Sequence, residues 1–520
     1  MNSLRVAASA FRESYLTADA GDGAEFSGTD ARRLRYGMLW AIYEASVYRG
    51  ASHAWAQSYR GQMGLYKFIR SVEAPAAQIA HFHQTHLLGG SLDPEAGDGI
   101  KAPSCLPILT RNEAIRPAIS LLWQWSNWQT RKDVLTLQGS VLGDFAIRVV
   151  DDVPRQKVYM RLVHPGSISS LDLDPFGNVK GYTLEEVRED PRTPAKSVVY
   201  REMVTRDGNS IIYTTYKDDL EFAWPGNEGP RGTPVSSWEE PYGFVPLVWG
   251  RHIDIGLDYG WSEYHTALPV FRELDDIASA LDDQIRKQVN APWLMAGVDK
   301  PEPAPTPRRT AATATNPEQA RQEVPIFYGP VGAQPHALVL PLDIGGVNER
   351  LENLHAKLRR DYPELQADIQ TASGDASGRA LRVARQRAEA KALARRAAYD
   401  DALVRAQQMA LAIGGYRGIF QGLGLDSYAG GALDHSIGAR PVFAVSELDV
   451  IEEDTAFWTA AKAATDAGAD LGGWLMKKGW TPQDVARVVK EPPPALRMPQ
   501  IGAQRVLGVS DGDGDGEMGE

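Results

Sequence analysis

The sequence predicts an α+β chain, and three observations carry that prediction. Short β runs follow one another between Phe145 and Tyr216. A helix with a single apolar stripe begins near Leu268, and the Ala- and Arg-rich stretch Arg379–Ile413 contains neither Pro nor Gly. At 520 residues, 43% hydrophobic and 23% charged, the composition is ordinary for a globular protein, which rules out a wholly disordered or collagen-like chain. With 55 basic against 67 acidic residues the formal charge is -12, so any DNA contact must be a local patch. The single cysteine, Cys105, excludes an internal disulfide framework and a Cys-rich zinc site, and fits a reducing compartment. No stretch reaches the ~18–20 apolar residues of a membrane helix, and Met1–Ala10 lacks the apolar core of a signal peptide. The expectation is a protein without membrane contact, made inside a cell.

Thr29 to about His86 reads as helix, with Tyr36, Trp40, Tyr43, Tyr48 and Trp55 spread along it. A Gly-, Pro- and Asp-rich loop follows from Gly89 to Pro107. Asn112–Leu137 is again helical, with Ile115, Ile119, Leu122, Trp123 and Trp125 crowding one side, until Gly139 and Gly143 break the pattern. Phe145–Val150 and Lys157–Val163 are β runs joined by a polar turn at Asp151–Arg155. Further strands are expected at Gly181–Arg188, Val198–Val204 and Ile211–Tyr216, with turns at Phe176–Asn178 and Arg206–Asn209. Residues 1–255 therefore read as one α+β unit with a meandering antiparallel sheet.

From Tyr259 the texture changes. Phe271, Leu274, Ile277, Ala278, Leu281, Ile285 and Val289 recur at spacings of three and four, with Glu273, Asp275 and Asp276 early and Arg286 and Lys287 late, as the helix dipole prefers. Pro292 closes this helix. Pro301–Gln322 is rich in proline and has nothing apolar larger than Ala, so it reads as an exposed flexible segment. Short β runs return at Val324–Tyr328 and Ala337–Leu340. A second helix starts near Val347 with the stripe Leu351, Leu354 and Leu358, and Pro363 should interrupt or restart it. The loop Thr371–Gly378 consists of small residues without a hydrophobic anchor. The helix after it is expected to be roughly 50 Å long. Amphipathic stretches near Thr455–Ala469 and Thr481–Lys490 precede an acidic tail, Asp511–Gly516.

Enzyme signatures are missing: there is no phosphate-cradling G-x-x-x-x-G-K-[ST] and no H-E-x-x-H. Adjacent acids such as Asp282-Asp283 and Asp400-Asp401 point ~100° apart on a helix and read as solvated faces. His81, His83 and His86 sit at offsets that put their rings on different helical faces, so they read as ordinary histidines rather than metal ligands. The tail carries Asp511, Asp513, Asp515 and Gly516 of a calcium loop but no Glu at its twelfth position. Neither a metal nor a cofactor is expected, and no catalytic residue. The strongest chemical signal is the basic excess of the long helix: Arg379, Arg382, Arg385, Arg387, Lys391, Arg395, Arg396 and Arg405 against Glu389, Asp400 and Asp401. Such guanidinium groups can meet phosphates, with Arg379 and Arg382 nearest the flexible loop, or can serve ion pairing within the helix or between subunits. Its small alanines would also let the helix pack closely on copies of itself.

The order of these elements from 259 to 420 resembles the portal proteins of tailed bacteriophages. Ser377-Gly-Arg-Ala-Leu381 is similar to the family's small-residue step after its tunnel loop. Asp144-Phe-Ala-Ile-Arg-Val149 after a Trp-rich helix resembles the family's wing, and Tyr259-Gly-Trp-Ser262 resembles the approach into its stem. The resemblance implies a portal-type protomer: wing 1–267, first stem helix 268–290, clip 291–345 with the insert 301–322, second stem helix 346–370, tunnel loop 371–378, long helix 379–422, and crown with acidic tail 423–520. The long clip insert and Pro363 depart from the pattern, and the crown cannot be matched in detail. Ser373, Gly374, Asp375, Ser377, Gly378, Arg379 and Arg382 would then face DNA, and Phe271, Leu274, Ile277, Leu281, Ile285, Leu351, Leu354 and Leu358 would pack the ring. The implied function is a ring of about twelve copies at one capsid vertex of the virion, assembled in the host cytoplasm, through which double-stranded DNA is packaged and ejected. Its implied partners are itself, that DNA without sequence specificity, the terminase large subunit, a head-completion or adaptor protein and the major capsid protein. A non-portal virion protein and a nucleic-acid-processing enzyme are the competing readings, separated by a ring in electron micrographs and by ATPase and nuclease assays.

Overall fold

The computed structural model describes residues 29–46, 71–94, 104–225, 233–289, 293–297, 326–332, 344–367, 378–443, 447–478, 480, 485 and 488. Its helices are α1 (Thr29–Tyr43), α2 (Ala76–Leu87), α3 (Ile115–Trp125), α4 (Trp128–Leu142), α5 (Leu268–Val289), α6 (Ile344–Asp361), α7 (Glu364–Ala367), α8 (Gly378–Tyr416), α9 (Leu425–Ala429), α10 (Glu447–Asp466) and α11 (Leu471–Lys477). Its strands are β1 (Ile108–Thr110), β2 (Asp144–Asp152), β3 (Lys157–Val163), β4 (Ile168–Leu173), β5 (Val179–Asp190), β6 (Thr193–Asp207), β7 (Ser210–Lys217), β8 (Leu220–Glu221), β9 (Ser237–Glu240), β10 (Leu247–Arg251), β11 (Trp293–Ala296), β12 (Ile326–Gly329) and β13 (His435–Ile437). The protein is thus a mixed α+β chain, and it divides into two units, Met1–Phe443 and Ala444–Glu520. No helix among the described residues is long and apolar enough to cross a membrane.

Where the sequence predicts one helix over Asn112–Leu137, two form. Asn127 stands between them in the left-handed region (φ 50°), which Asn tolerates better than most residues. Next to it the Ser126 hydroxyl accepts from the backbone N–H of Met160 at 2.9 Å, which pins the break to β3. Helix α4 then runs through Gly139 and stops at Gly143 (φ 90°). The expected polar turn after β2 is a tight one: Asp152 accepts from the N–H of Arg155, and Gln156 adopts φ 51°.

Strand β1 pairs separately with β13, also antiparallel, and the strands of the expected meander fall into two sheets rather than one. One has the order β10-β2-β3; the other runs β4-β5-β6-β7-β8 as a meander, with β9 on β7. A buried Arg148–Glu202 pair at 2.8 Å joins β2 to β6, and Tyr200 donates to the same carboxylate. Strands β11 and β12 pair in parallel across the chain between them.

Helix α8 spans 39 residues, ~58 Å, and lies against β2, β3 and β10. Ala388, Ala392, Ala402, Ala406 and Ala410 are buried there, so its alanine face is covered by the chain's own sheet rather than left for another copy. The stem stripe divides similarly. Phe271, Leu274, Leu354 and Leu358 are buried with Tyr36, Leu39, Ile79 and Tyr264 in a second core, and Ile277 and Leu351 pack on its edge. Leu281 is half-buried and Ile285 is 39% exposed, so only this end of the stripe remains open to a neighbour. Pro363 interrupts the chain as expected, between α6 and the short α7. In the second unit, Asp470 caps α11 by accepting from Gly473 N–H at 2.7 Å, and Phe457 packs against Trp474 and Trp480.

Asp144 ties α1 to this framework. Its carboxylate is fully buried and takes Arg32 at 2.7 Å, the Tyr36 hydroxyl at 2.7 Å and the Gly260 N–H at 2.7 Å. Arg32 also donates to the Gly260 carbonyl. Burial raises the Asp144 pKa and the Arg32 and Tyr36 contacts only partly offset it. Asp144→Asn should cost about 3–5 kcal/mol by leaving Arg32 buried without its counter-charge. The exposed control Asp172→Asn should stay within about 0.5 kcal/mol. Urea unfolding measures both, and equal stabilities would show that Asp144 holds nothing together.

Candidate functional site

The structure separates the residues that the sequence groups together. Ser373, Gly374, Asp375 and Ser377 lie outside the described residues, as do Pro301–Gln322 and the acidic tail. Gly378 opens α8, and Arg379 and Arg382 stand in its first two turns. Further along, the basic residues other than Arg387 are engaged within the chain. Arg385 lies over the Phe443 ring at 5.0 Å. Arg396 is buried and donates to the carbonyls of His86, Arg440 and Pro441 at 2.6, 2.8 and 3.0 Å. Burial and the nearby Arg440 bring its pKa down to about 10. Arg405 pairs with Asp401 one turn away. Arg387 is exposed.

Lys391, Arg395 and Tyr399 are spaced by four, so they form one stripe on α8, and this stripe faces a buried polar cluster. Helix α2 contributes His83. The backbone just after β10 contributes His252, held by its N–H on the Gly143 carbonyl at 2.8 Å, and Glu263 is held by its N–H on Ser140 O at 2.9 Å. Glu364 opens α7, directly after Pro363. Lys391 Nζ lies 2.7 Å from both Glu263 and Glu364, and Arg395 Nε donates to Glu263 at 2.9 Å. His252 Nε2 is 2.6 Å from Glu263 Oε2, and its Nδ1 is 2.8 Å from the Tyr399 hydroxyl.

Electrostatics assigns the protons. Burial lowers the His252 pKa to about 4, so the ring is neutral and has one N–H. A carboxylate can only accept, so Nε2–H donates to Glu263 and the Tyr399 hydroxyl donates to Nδ1. Burial alone would raise the Glu263 pKa, but His83, His252 and Lys391 outweigh it and hold the carboxyl well below the usual range. Glu364 is lowered in the same way, its burial outweighed by His83 and Lys391. In this cluster, both ring nitrogens of His83 and Oε2 of Glu364 make no hydrogen bond among the described residues. The nearest carboxylate oxygens to His83 Nε2 are on Glu263 at 3.5 Å and Glu364 at 3.7 Å.

The three sequence histidines do diverge, as expected for their offsets. His81 is exposed beside Gln84, and His86 stacks on Phe82 with its Nδ1 at the Phe82 carbonyl. His83 alone turns inward and meets His252 and Glu263, whose donor atoms lie within 4.8 Å of its own. Sequence reading missed His252, Glu263, Glu364 and Tyr399 because no local pattern links them; Arg395 and Glu263 are 132 positions apart. The one legible trace was the i, i+4, i+8 stripe of Lys391, Arg395 and Tyr399. No protein-family model matches the chain, and no curated protein matches it.

The pairing of α8 has a measurable consequence. Arg396→Ala should lose about 1–3 kcal/mol, because three carbonyls lose the buried guanidinium that joins them. Arg387→Ala should change stability by less than about 0.5 kcal/mol. Denaturant titrations that rank the two variants equally would refute the structural role of Arg396.

Proposed function

We propose that the protein is a portal protein: a ring of about twelve copies at one capsid vertex through which double-stranded DNA is packaged and ejected. One observation carries the reading, the order of elements after the two sheets. Helix α5 is followed by the small β11–β12 pairing, α6 packs back on α5, the short α7 comes next, and the chain later enters the 39-residue α8. In this reading, 371–378 is the tunnel loop and the ring supplies a channel rather than chemistry. The ATP-driven work belongs to a separate terminase, in keeping with a sequence that has no P-loop.

Because Lys391, Arg395, Arg396 and Arg405 are engaged within the chain, the phosphate-facing charge of α8 in this reading is carried by Arg379, Arg382 and the exposed Arg387. A few weak contacts on an acidic chain suit a polyanion that must slide, since each added phosphate contact strengthens binding and steepens its salt dependence. In this reading the clip, with its insert 301–322, docks terminase and head-completion proteins, and the major capsid protein is a further partner.

Native mass measurement and negative-stain imaging test the assembly. A closed ring near twelve copies is expected, and a stable monomer at micromolar concentration would overturn the reading. Intrinsic ATPase or nuclease turnover would favour an enzyme instead. Within the ring, a Gly374→Pro, Gly378→Pro double variant should assemble but package or retain DNA poorly. A variant that both assembles and packages like the parent would make the loop a mere connector.

A further inference from the structure

His83 poses a problem that the ion pairs around it do not solve. Its side chain is fully buried, and among the described residues neither ring nitrogen makes a hydrogen bond, Nε2 only approaching Glu263 at 3.5 Å and Glu364 at 3.7 Å, whereas buried polar groups are almost always satisfied. We propose that His83, His252 and Glu263 form a binding site for one divalent transition-metal ion of zinc-like chemistry. The inference is independent of the portal reading.

The donor set points to the ion. Two imidazoles and one carboxylate suit zinc, cobalt or nickel, whereas magnesium and calcium prefer oxygen ligands throughout. The spacing agrees. Donors at about 2.0–2.1 Å from a tetrahedral zinc stand ~3.3 Å from one another. Here Glu263 Oε2 is 2.6 Å from His252 Nε2 and 3.5 Å from His83 Nε2, and all three donor atoms fall within 4.8 Å. The two rings are nearly perpendicular, with centroids 5.3 Å apart. Two imidazoles on one tetrahedral ion put their centroids about 5 Å apart.

The surroundings supply what a metal ligand needs from its neighbours. Nε2 of His252 becomes a ligand when its proton moves to Nδ1, where the Tyr399 oxygen is in place to accept it at 2.8 Å. Tyr399 is itself fixed by stacking on Phe145 at 4.4 Å. Arg395 orients Glu263. Arg395 Nε stays on Glu263 Oε2, the oxygen nearest both imidazoles, while Lys391 bridges the other oxygen, Oε1, to Glu364 Oε1. The Lys391 side chain is 18% exposed and can withdraw to solvent, which relieves the repulsion between its ammonium and an ion at Oε2. Glu364, whose Oε2 is buried and makes no hydrogen bond among the described residues, then offsets part of the ion's charge. The bound ion ties α2 to the segment between β10 and α5, a structural rather than a catalytic role.

The test uses the full chain, stripped with a chelator and titrated with Co²⁺ and then Zn²⁺. About one equivalent of cobalt should bind with the visible absorption of a four-coordinate nitrogen–oxygen site, zinc should displace it, and Mg²⁺ should not. His83→Gln should abolish the band or weaken affinity by about tenfold or more, while the remote control His355→Gln keeps it. Absence of a band in the parent, or a band that survives His83→Gln, overturns the proposal. Should His83→Gln fail to fold, Lys391→Met decides. It removes the competing ammonium and keeps all three donors, so it should bind zinc at least as tightly as the parent, and weaker binding would overturn the site.

Discussion

A single buried carboxylate governs how the long helix meets the rest of the first unit. Glu263 is 1% exposed and receives Lys391, Arg395 and His252, two of them cations from consecutive turns of α8. Bringing two charged side chains of an Ala-rich helix against a sheet is unfavourable unless an opposite charge is already there. Glu263 meets that requirement, and in doing so it sets the rotation and axial position of α8. Because Glu263 stands five residues before Leu268, the same contact fixes where α5 begins.

The other buried carboxylates repeat the arrangement at other junctions. Asp144 joins α1 to β2 and to the Gly260 turn. Glu202 joins the two sheets through Arg148. Asp275 on α5 accepts the N–H groups of Glu73 and Ala74 at 2.7 and 3.1 Å, just ahead of α2. Such groups add little net stability, since desolvation offsets most of the attraction. Their effect is discrimination: a packing that misplaces one segment leaves a charge buried and unpaired, which is far more costly than the correct arrangement. The Tyr259-Gly-Trp-Ser262 motif gains its physical meaning here. An added Cβ at Gly260 would meet the Gly143 carbonyl at 2.4 Å, so the backbone approach that delivers the N–H to Asp144 requires glycine.

Close contact between elements depends on small residues at the same places. Gly139 leaves room for the Tyr399 hydroxyl, which would lie 1.9 Å from an added Cβ, and Gly250 leaves room for the Phe145 ring. Tyr399 and Phe145 stack on each other, so the two glycines flank one aromatic pair between α4, β10 and α8. The buried alanines of α8 extend this contact along the sheet. Helix α8 is therefore seated by sterics along its length and by charge at Glu263.

Local chemistry made much of this legible from the sequence. Alternation marked β2, β3 and β5 to β7, three-and-four spacing marked α5, Pro363 marked the end of α6, and the Pro- and Gly-free run marked α8, because each depends on residues that are neighbours in the chain. Helix α3 was joined to α4 because the break needs Asn127 in a left-handed conformation held by Ser126 and Met160, a contact made across the fold. The same limit applies to the charges. The sequence determined that α8 is long, basic and rich in alanine; only the tertiary structure decided that its alanines cover the chain's own sheet and that Lys391, Arg395 and Arg396 are taken up internally. It also decided that His83, one of three histidines with the same local pattern, faces His252 and Glu263. Periodicity specifies which face of an element is apolar, but which charge meets which across more than a hundred positions is set by the cost of burying either one alone.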